Sequence, residues 1–322
     1  MHGDRVRPVG SASGPAPSPI AAAIVAAILA PIAVSAASIS LAAIGRPAHG
    51  NTVLSIASVL DSGRPGMRQG LLQPMSFPVY LQIGPMALHP HWVFESLAYT
   101  LAYLWFRRQR RAHGDVVDAR TRWWVIGAAA VGGMVGSRLL YLIENPFELA
   151  ARWSDPEFAF GGKTIVGGLA GGTIAVEWIK RRLGVVIATG DLLVVPLVLG
   201  IAIGRIGCFL SGLSDRTYGG PTSLAWGVDF GDGILRHPTQ LYEIAFLGGL
   251  LLLFAAIGGR FRLSGDRFKL FIVAYMMFRL GMDFLKPAVH VGGLSIIQWA
   301  CVAVIAYYAP HVPRFASEVR HG

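Results

Sequence analysis

Charge is scarce in this sequence. Only 14% of its 322 residues are Asp, Glu, Lys or Arg, and the mean hydropathy is +0.53; soluble globular domains carry about 25% charged residues. Cysteine is scarcer still. Cys208 and Cys301 both lie inside apolar blocks, and neither belongs to a CxxC or a Cys/His metal spacing. Disulfide and zinc readings have no support there, and no cofactor is expected. The chain has no Walker loop and no GxSxG elbow. Its Gly-Gly pairs at 132–133, 161–162, 167–168 and 171–172 read as close helix packing, not as phosphate cradles. The net charge of +10 does not imply nucleic acid, because the basic residues sit in short loops between apolar blocks instead of forming a groove-shaped patch.

Long apolar runs are what the sequence does have. A helix needs roughly 20 apolar residues to cross about 30 Å of hydrocarbon, and seven blocks approach that length: 91–106, 123–143, 164–179, 191–212, 239–258, 268–286 and 293–310. The expected fold is an all-α polytopic membrane bundle with seven core transmembrane helices over 81–322. Residues 1–80 read as a disordered Pro/Ser/Gly-rich start, an Ala-rich apolar stretch near 19–44 that is either a signal peptide or a retained anchor helix, and a polar linker.

Charge alternates from loop to loop. Arg107, Arg108, Arg110, Arg111, Arg120 and Arg122 follow the first block, and Lys180, Arg181 and Arg182 follow the third. Arg260, Arg262, Arg267 and Lys269 follow the fifth, and the tail carries Arg314 and Arg320. Acidic residues fill the loops between, including Glu144, Glu148, Asp155 and Glu157. By the positive-inside rule the basic loops and the C-terminus are cytoplasmic, and the other loops face outward.

Several ionisable residues fall within the apolar blocks. A charge at bilayer depth costs about 2.5–3.5 kcal/mol on insertion scales, so each is a functional hypothesis. Arg138, Arg205 and Arg279 reach the middle-to-outer part of the membrane by their place along their helices. Tyr275, Arg279, Asp283 and Lys286 are spaced as one helical face; His91, Glu95 and Tyr99 share another,. Gln240 and Glu243 lie one turn apart on the fifth block, just after His237. The structural alternative is an Arg279–Asp283 pair, with Arg138 and Arg205 snorkelling to the interface. Taken together, the groups converge on an outward-opening cavity, and guanidinium groups there suit an anionic lipid head group.

Residues Gly204-Arg205-Ile206-Gly207-Cys208-Phe209-Leu210-Ser211-Gly212, Arg236-His237-Pro238-Thr239-Gln240-Leu241-Tyr242-Glu243 and the Tyr275–Arg279–Asp283 face resemble the signatures of bacterial prolipoprotein diacylglyceryl transferases. The resemblance implies an enzyme of the bacterial plasma (inner) membrane. Such an enzyme moves a diacylglyceryl group from phosphatidylglycerol to the lipobox cysteine of a preprolipoprotein signal peptide, and glycerol phosphate leaves. Carried over by position, Arg205 and Arg279 are the catalytic pair, and Arg138, His91, His237, Gln240, Glu243, Tyr275 and Asp283 bind substrate or brace the arginines. Three departures stand out. Val166 occupies the place where family members carry a histidine before Gly-Gly-Leu, Cys208 replaces an asparagine, and His91 replaces a tyrosine. His91 and His237 are the candidates to replace the missing base. A paralogue with another acceptor or donor, and a non-catalytic lipid-binding protein, are the competing readings. A transporter is disfavoured by the lack of a repeated half.

Overall fold

The computed structural model describes residues 53–55, 77–152, 154–155, 158, 162–257, 261 and 264–314. The apolar stretch near 19–44, Glu157, Arg260, Arg262 and Arg320 lie outside the described residues. The elements in chain order are β1 (Val53–Ser55), β2 (Tyr80–Ile83), β3 (Met86–Leu88), α1 (Pro90–His113), α2 (Ala119–Glu144), α3 (Pro146–Arg152), α4 (Ile165–Arg182) and α5 (Val194–Ser211). They continue with β4 (Val228–Asp229), β5 (Leu235–Arg236), α6 (Thr239–Ile257), α7 (Asp266–Met282), β6 (His290–Val291), β7 (Leu294–Ser295) and α8 (Ile296–Tyr308).

The protein is mostly helical, and each of the seven apolar blocks forms a helix. Among the described residues, four stretches are long and apolar enough to cross a membrane by length and composition: Ala119–Glu144, Asp191–Asp215, Thr239–Ile257 and Ile296–Arg314. The other three long helices carry their basic punctuation within the helix. Arginine is a good helix former, so α1 runs on through Arg107–Arg111 until Gly114, at φ 81°, ends it. In the same way, α4 closes on Lys180, Arg181 and Arg182. Sequence periodicity missed α3, a seven-residue helix inside the acidic loop, because two turns carry too little pattern to read. The strands are short and form one three-stranded sheet, β1–β2–β3, and two antiparallel ribbons. One is a β6–β7 ribbon that turns at Gly292 and Gly293, both at positive φ (63° and 86°), as a two-residue hairpin requires.

The exterior is that of a protein bathed in lipid. Seven of the eight tryptophans are described, and all seven are exposed. Trp105, Trp123, Trp124 and Trp178 lie near the basic helix ends, and Trp92, Trp226 and Trp299 near the opposite ends, forming two amphipathic rings such as membrane interfaces favour. The apolar core lies among α4, α5, α6, α7 and α8, around Val198, Leu247, Phe271, Tyr275, Met276 and Cys301.

Two packing devices position the site. Along the α2–α4 seam the backbones nearly touch. A Cβ on Gly136 would stand 2.4 Å from the Gly167 carbonyl oxygen, and one on Gly171 would stand 2.4 Å from that of Gly132. The close-packing expectation holds for the pairs at 132–133, 167–168 and 171–172. Gly171→Val should therefore lower the melting temperature in detergent, at an overpacking cost of about 1–3 kcal/mol. Gly133→Ala, whose Cβ would meet only an oxygen at 3.5 Å, should melt with the wild type. Equal melting of both variants would refute the tight seam.

The second device is Asp191, which opens the 3-10 turn leading into α5. Its carboxylate accepts the backbone N–H groups of Gly265 (2.6 Å) and Phe268 (3.0 Å) at the start of α7, and so caps a helix from another segment. At the far end of α7, Ser295 and Gln298 form a capping box on α8, and the Ser295 hydroxyl donates to Asp283.

Candidate active site

Arg205, Glu243 and Arg279 meet from three helices, α5, α6 and α7, with exposures of 7%, 2% and 5%. Glu243 is the hub. Its Oε2 lies 2.9 Å from Arg205 Nε and 3.5 Å from Arg279 Nη1, and its Oε1 accepts the Tyr275 hydroxyl at 2.6 Å. Arg279 Nη2 also stands 3.6 Å from Asp283 Oδ1. Two guanidinium groups removed from water need such partners, since an unpaired buried charge is strongly destabilising. The pairing is incomplete in one respect: among the described residues the Nε–H of Arg279 is buried without a hydrogen-bond acceptor, whereas Arg205 Nε is held by Glu243. Lys286 and Glu144 lie within electrostatic reach of the same cluster.

Cys208 sits beside the cluster, one turn along α5 from Arg205, whose Nη1 is 3.8 Å from the Cys208 Sγ. Gly207 makes the approach of α1 feasible, because a Cβ there would stand 2.7 Å from the Phe94 Cβ. That approach brings His91 against α5. His91 Nδ1 lies 2.8 Å from Asp215 Oδ1, and its Nε2 lies 3.7 Å from Glu95 Oε2. Asp215 accepts the Thr217 hydroxyl at 2.6 Å, and Gln240 Nε2 donates to that hydroxyl oxygen at 3.1 Å. Gln240 thus faces this second group while Glu243, three residues on, faces the arginines.

The remaining expected residues stand apart. Arg138 donates from Nη1 to the Gly162 carbonyl at 2.7 Å and from Nη2 to that of Phe158, with its guanidinium 5.0 Å from the Tyr141 ring centroid. It braces the segment entering α4. His237 Nδ1 is 3.3 Å from the Tyr242 hydroxyl, which also accepts from Trp226 Nε1 at 2.8 Å. In the same loop, Arg236 pairs with Asp232 at 2.5 Å and holds its carboxyl below the usual carboxylate range. Val166 is 1% exposed and belongs to the apolar core. The functional neighbours that sequence reading passed over are Asp215 and Thr217; they follow the glycine-rich motif by a few residues, and only the turn after α5 folds them back onto His91.

A helical membrane protein with a buried arginine–carboxylate cluster is the class that this fold and site define. The comparisons supply the family. Its model, described as prolipoprotein diacylglyceryl transferase, matches residues 78–310. The phosphatidylglycerol–prolipoprotein diacylglyceryl transferase of Bordetella parapertussis is 31% identical over 257 residues, which cover 73% of this chain and 94% of that protein. The protein of that name from Nitrosomonas europaea is 30% identical over 258 residues, 73% and 88% of the two chains. Its namesake from Geobacter sulfurreducens is 31% identical over 238 residues, 68% and 85%. The chain belongs to the prolipoprotein diacylglyceryl transferase family.

Proposed function

We propose that this chain transfers the diacylglyceryl group of phosphatidylglycerol to the lipobox cysteine thiol in the signal peptide of a preprolipoprotein. The observation that carries this reading is the pair of buried arginines that share Glu243, with the Arg279 Nε–H left without a protein acceptor. A phosphodiester oxygen is a strong acceptor for such donors. The sulfur attacks the glyceryl carbon, a C–S bond forms, and the bond from that carbon to the phosphate oxygen breaks. Glycerol phosphate departs with the electron pair, and the thiol proton goes to solvent. Charge grows on the phosphate as the bond breaks, and preset cations stabilise it there more than in the bound lipid.

In this reading Arg205 and Arg279 are catalytic, and Glu243, Tyr275 and Asp283 position them. Gln240 and His91 border the acceptor side, while Arg138 and His237 hold the loops that frame the cavity. Loop charge supports seven membrane-spanning helices, a cavity on the outer face of the bacterial inner membrane, and a cytoplasmic C-terminus.

The test is direct. Purified protein, phosphatidylglycerol and a lipobox peptide should yield a thioether-linked diacylglyceryl peptide, read by mass spectrometry. A serine-for-cysteine peptide should yield none. Absence of product from the cysteine peptide, with lipid still bound, would sink the reading in favour of a paralogue with another acceptor.

A further inference from the structure

Cys208, His91 and Asp215 each present a ligand atom, and the three atoms lie within 4.8 Å of one another. The two cysteines of the chain live differently. Cys301 belongs to the apolar core, whereas Cys208 is buried outside it, among an arginine, a histidine and a carboxylate. We propose that His91, Cys208 and Asp215 bind a zinc ion that takes the acceptor thiol as its fourth ligand.

The donor set is the first argument. Zinc binds imidazole nitrogen, thiolate and carboxylate oxygen at about 2.0–2.3 Å, and sites with three protein ligands keep one position open for substrate. A tetrahedral centre with those bond lengths holds its ligand atoms roughly 3.3–3.6 Å apart. To reach that spacing His91 Nδ1 and Asp215 Oδ1, now 2.8 Å apart, open by about 0.5 Å while Cys208 Sγ closes on them,. The surroundings are the second argument. Histidine ligands are commonly steadied by a carboxylate on the other ring nitrogen, and Glu95 stands 3.7 Å from His91 Nε2. The Thr217 hydroxyl donates to Asp215 Oδ2 and orients the carboxylate, whose Oδ1 exchanges its contact with His91 Nδ1 for the metal. Location is the third argument. Cys208 is one helical turn from Arg205, so a thiol held here lies next to the phosphate that Arg205 grips.

The chemistry fits the transfer. A free cysteine thiol has a pKa of about 8.5, and coordination to zinc removes its proton. The acceptor thiol displaces a water, its proton leaves to solvent, and the resulting thiolate attacks the glyceryl carbon as written above. One zinc ion with one thiolate and one carboxylate from the protein is neutral, so the incoming thiolate adds one negative charge beside Arg205. The apolar Val166, buried in the core, then ceases to be a puzzle, because metal coordination takes the place of a side-chain base. This role rests on the transferase reading; the metal site does not.

The test uses full-length protein purified in detergent without chelator. Elemental analysis should find about one zinc per chain. Cobalt in its place should give thiolate-to-cobalt charge-transfer absorption, lost in both Cys208→Ser and Asp215→Asn. Adding a lipobox peptide should raise that absorption, and a serine-for-cysteine peptide should leave it unchanged. Failure to bind zinc or cobalt overturns the site, as does retention of the metal by both variants. A cobalt spectrum indifferent to the thiol peptide, or full-rate transfer by chelated protein, overturns the thiol-binding role while the transferase reading stands. Metal bound as described in protein that transfers nothing leaves the site standing and sinks the transferase reading instead.

Discussion

Replacing Arg205 with lysine should reduce the turnover number of diacylglyceryl transfer by about 10²–10³-fold, the loss seen when one preset donor is removed from a developing anion. Arg279→Lys should do the same. Lysine keeps the charge that Glu243 needs, so both variants should melt near the wild-type temperature. What is lost is the planar fork and the fixed Nε–H, which a flexible ammonium group does not reproduce. The distinction is made by single-turnover transfer, with phosphatidylglycerol binding measured separately. A clamp that acts on the departing phosphate lowers the chemical step more than it weakens lipid binding. If both lysine variants turn over at the wild-type rate, the two arginines do not stabilise the leaving group.

Glu243→Gln should act on stability first. Glutamine fits the space and still accepts from Tyr275, but it leaves two buried guanidinium groups without their shared counter-ion. Breaking such a pair costs about 3–5 kcal/mol, enough to lower the melting temperature of the lipid-free protein substantially. Added phosphatidylglycerol should restore much of that loss, because its phosphate supplies the missing negative charge and binds only the folded state. A zwitterionic lipid should restore little. A variant that melts with the wild type and ignores the anionic lipid would show that Glu243 is not the counter-charge.

Much of this was readable from the sequence for physical reasons. The apolar blocks announced the helices because lipid leaves a helix no solvated face, and the arginine runs marked where several of those blocks end. Tyr275, Arg279 and Asp283 were recognisable as one face from their spacing, and the structure keeps them together although α7 ends at Met282 and Asp283 begins a 3-10 turn. The single carboxylate shared by Arg205 and Arg279 was not readable, because spacing along a helix says nothing about which neighbouring helix lies opposite. The meeting of His91 with Cys208 and Asp215 was hidden for the same reason. Metal spacings are recognised when ligands are near in sequence, and these come from α1 and from the far end of α5. Arg138 illustrates the converse. Its depth matched that of the other arginines, yet its donors serve the carbonyls of Phe158 and Gly162, a role set by the path of a loop.

Asp191 carries a consequence at the opposite end of the bundle. It begins the segment that becomes α5 and also caps α7, so Arg205 and Arg279 are the tips of two rods that share one pivot. The gap between the tips is set by counting residues from that pivot, as the legs of a caliper set its opening. One residue inserted into α5 between Asp191 and Arg205 would advance the arginine by about 1.5 Å and swing it by about 100°, away from Glu243. The enzyme can therefore tolerate changes of side chain along these legs far better than a change in their length.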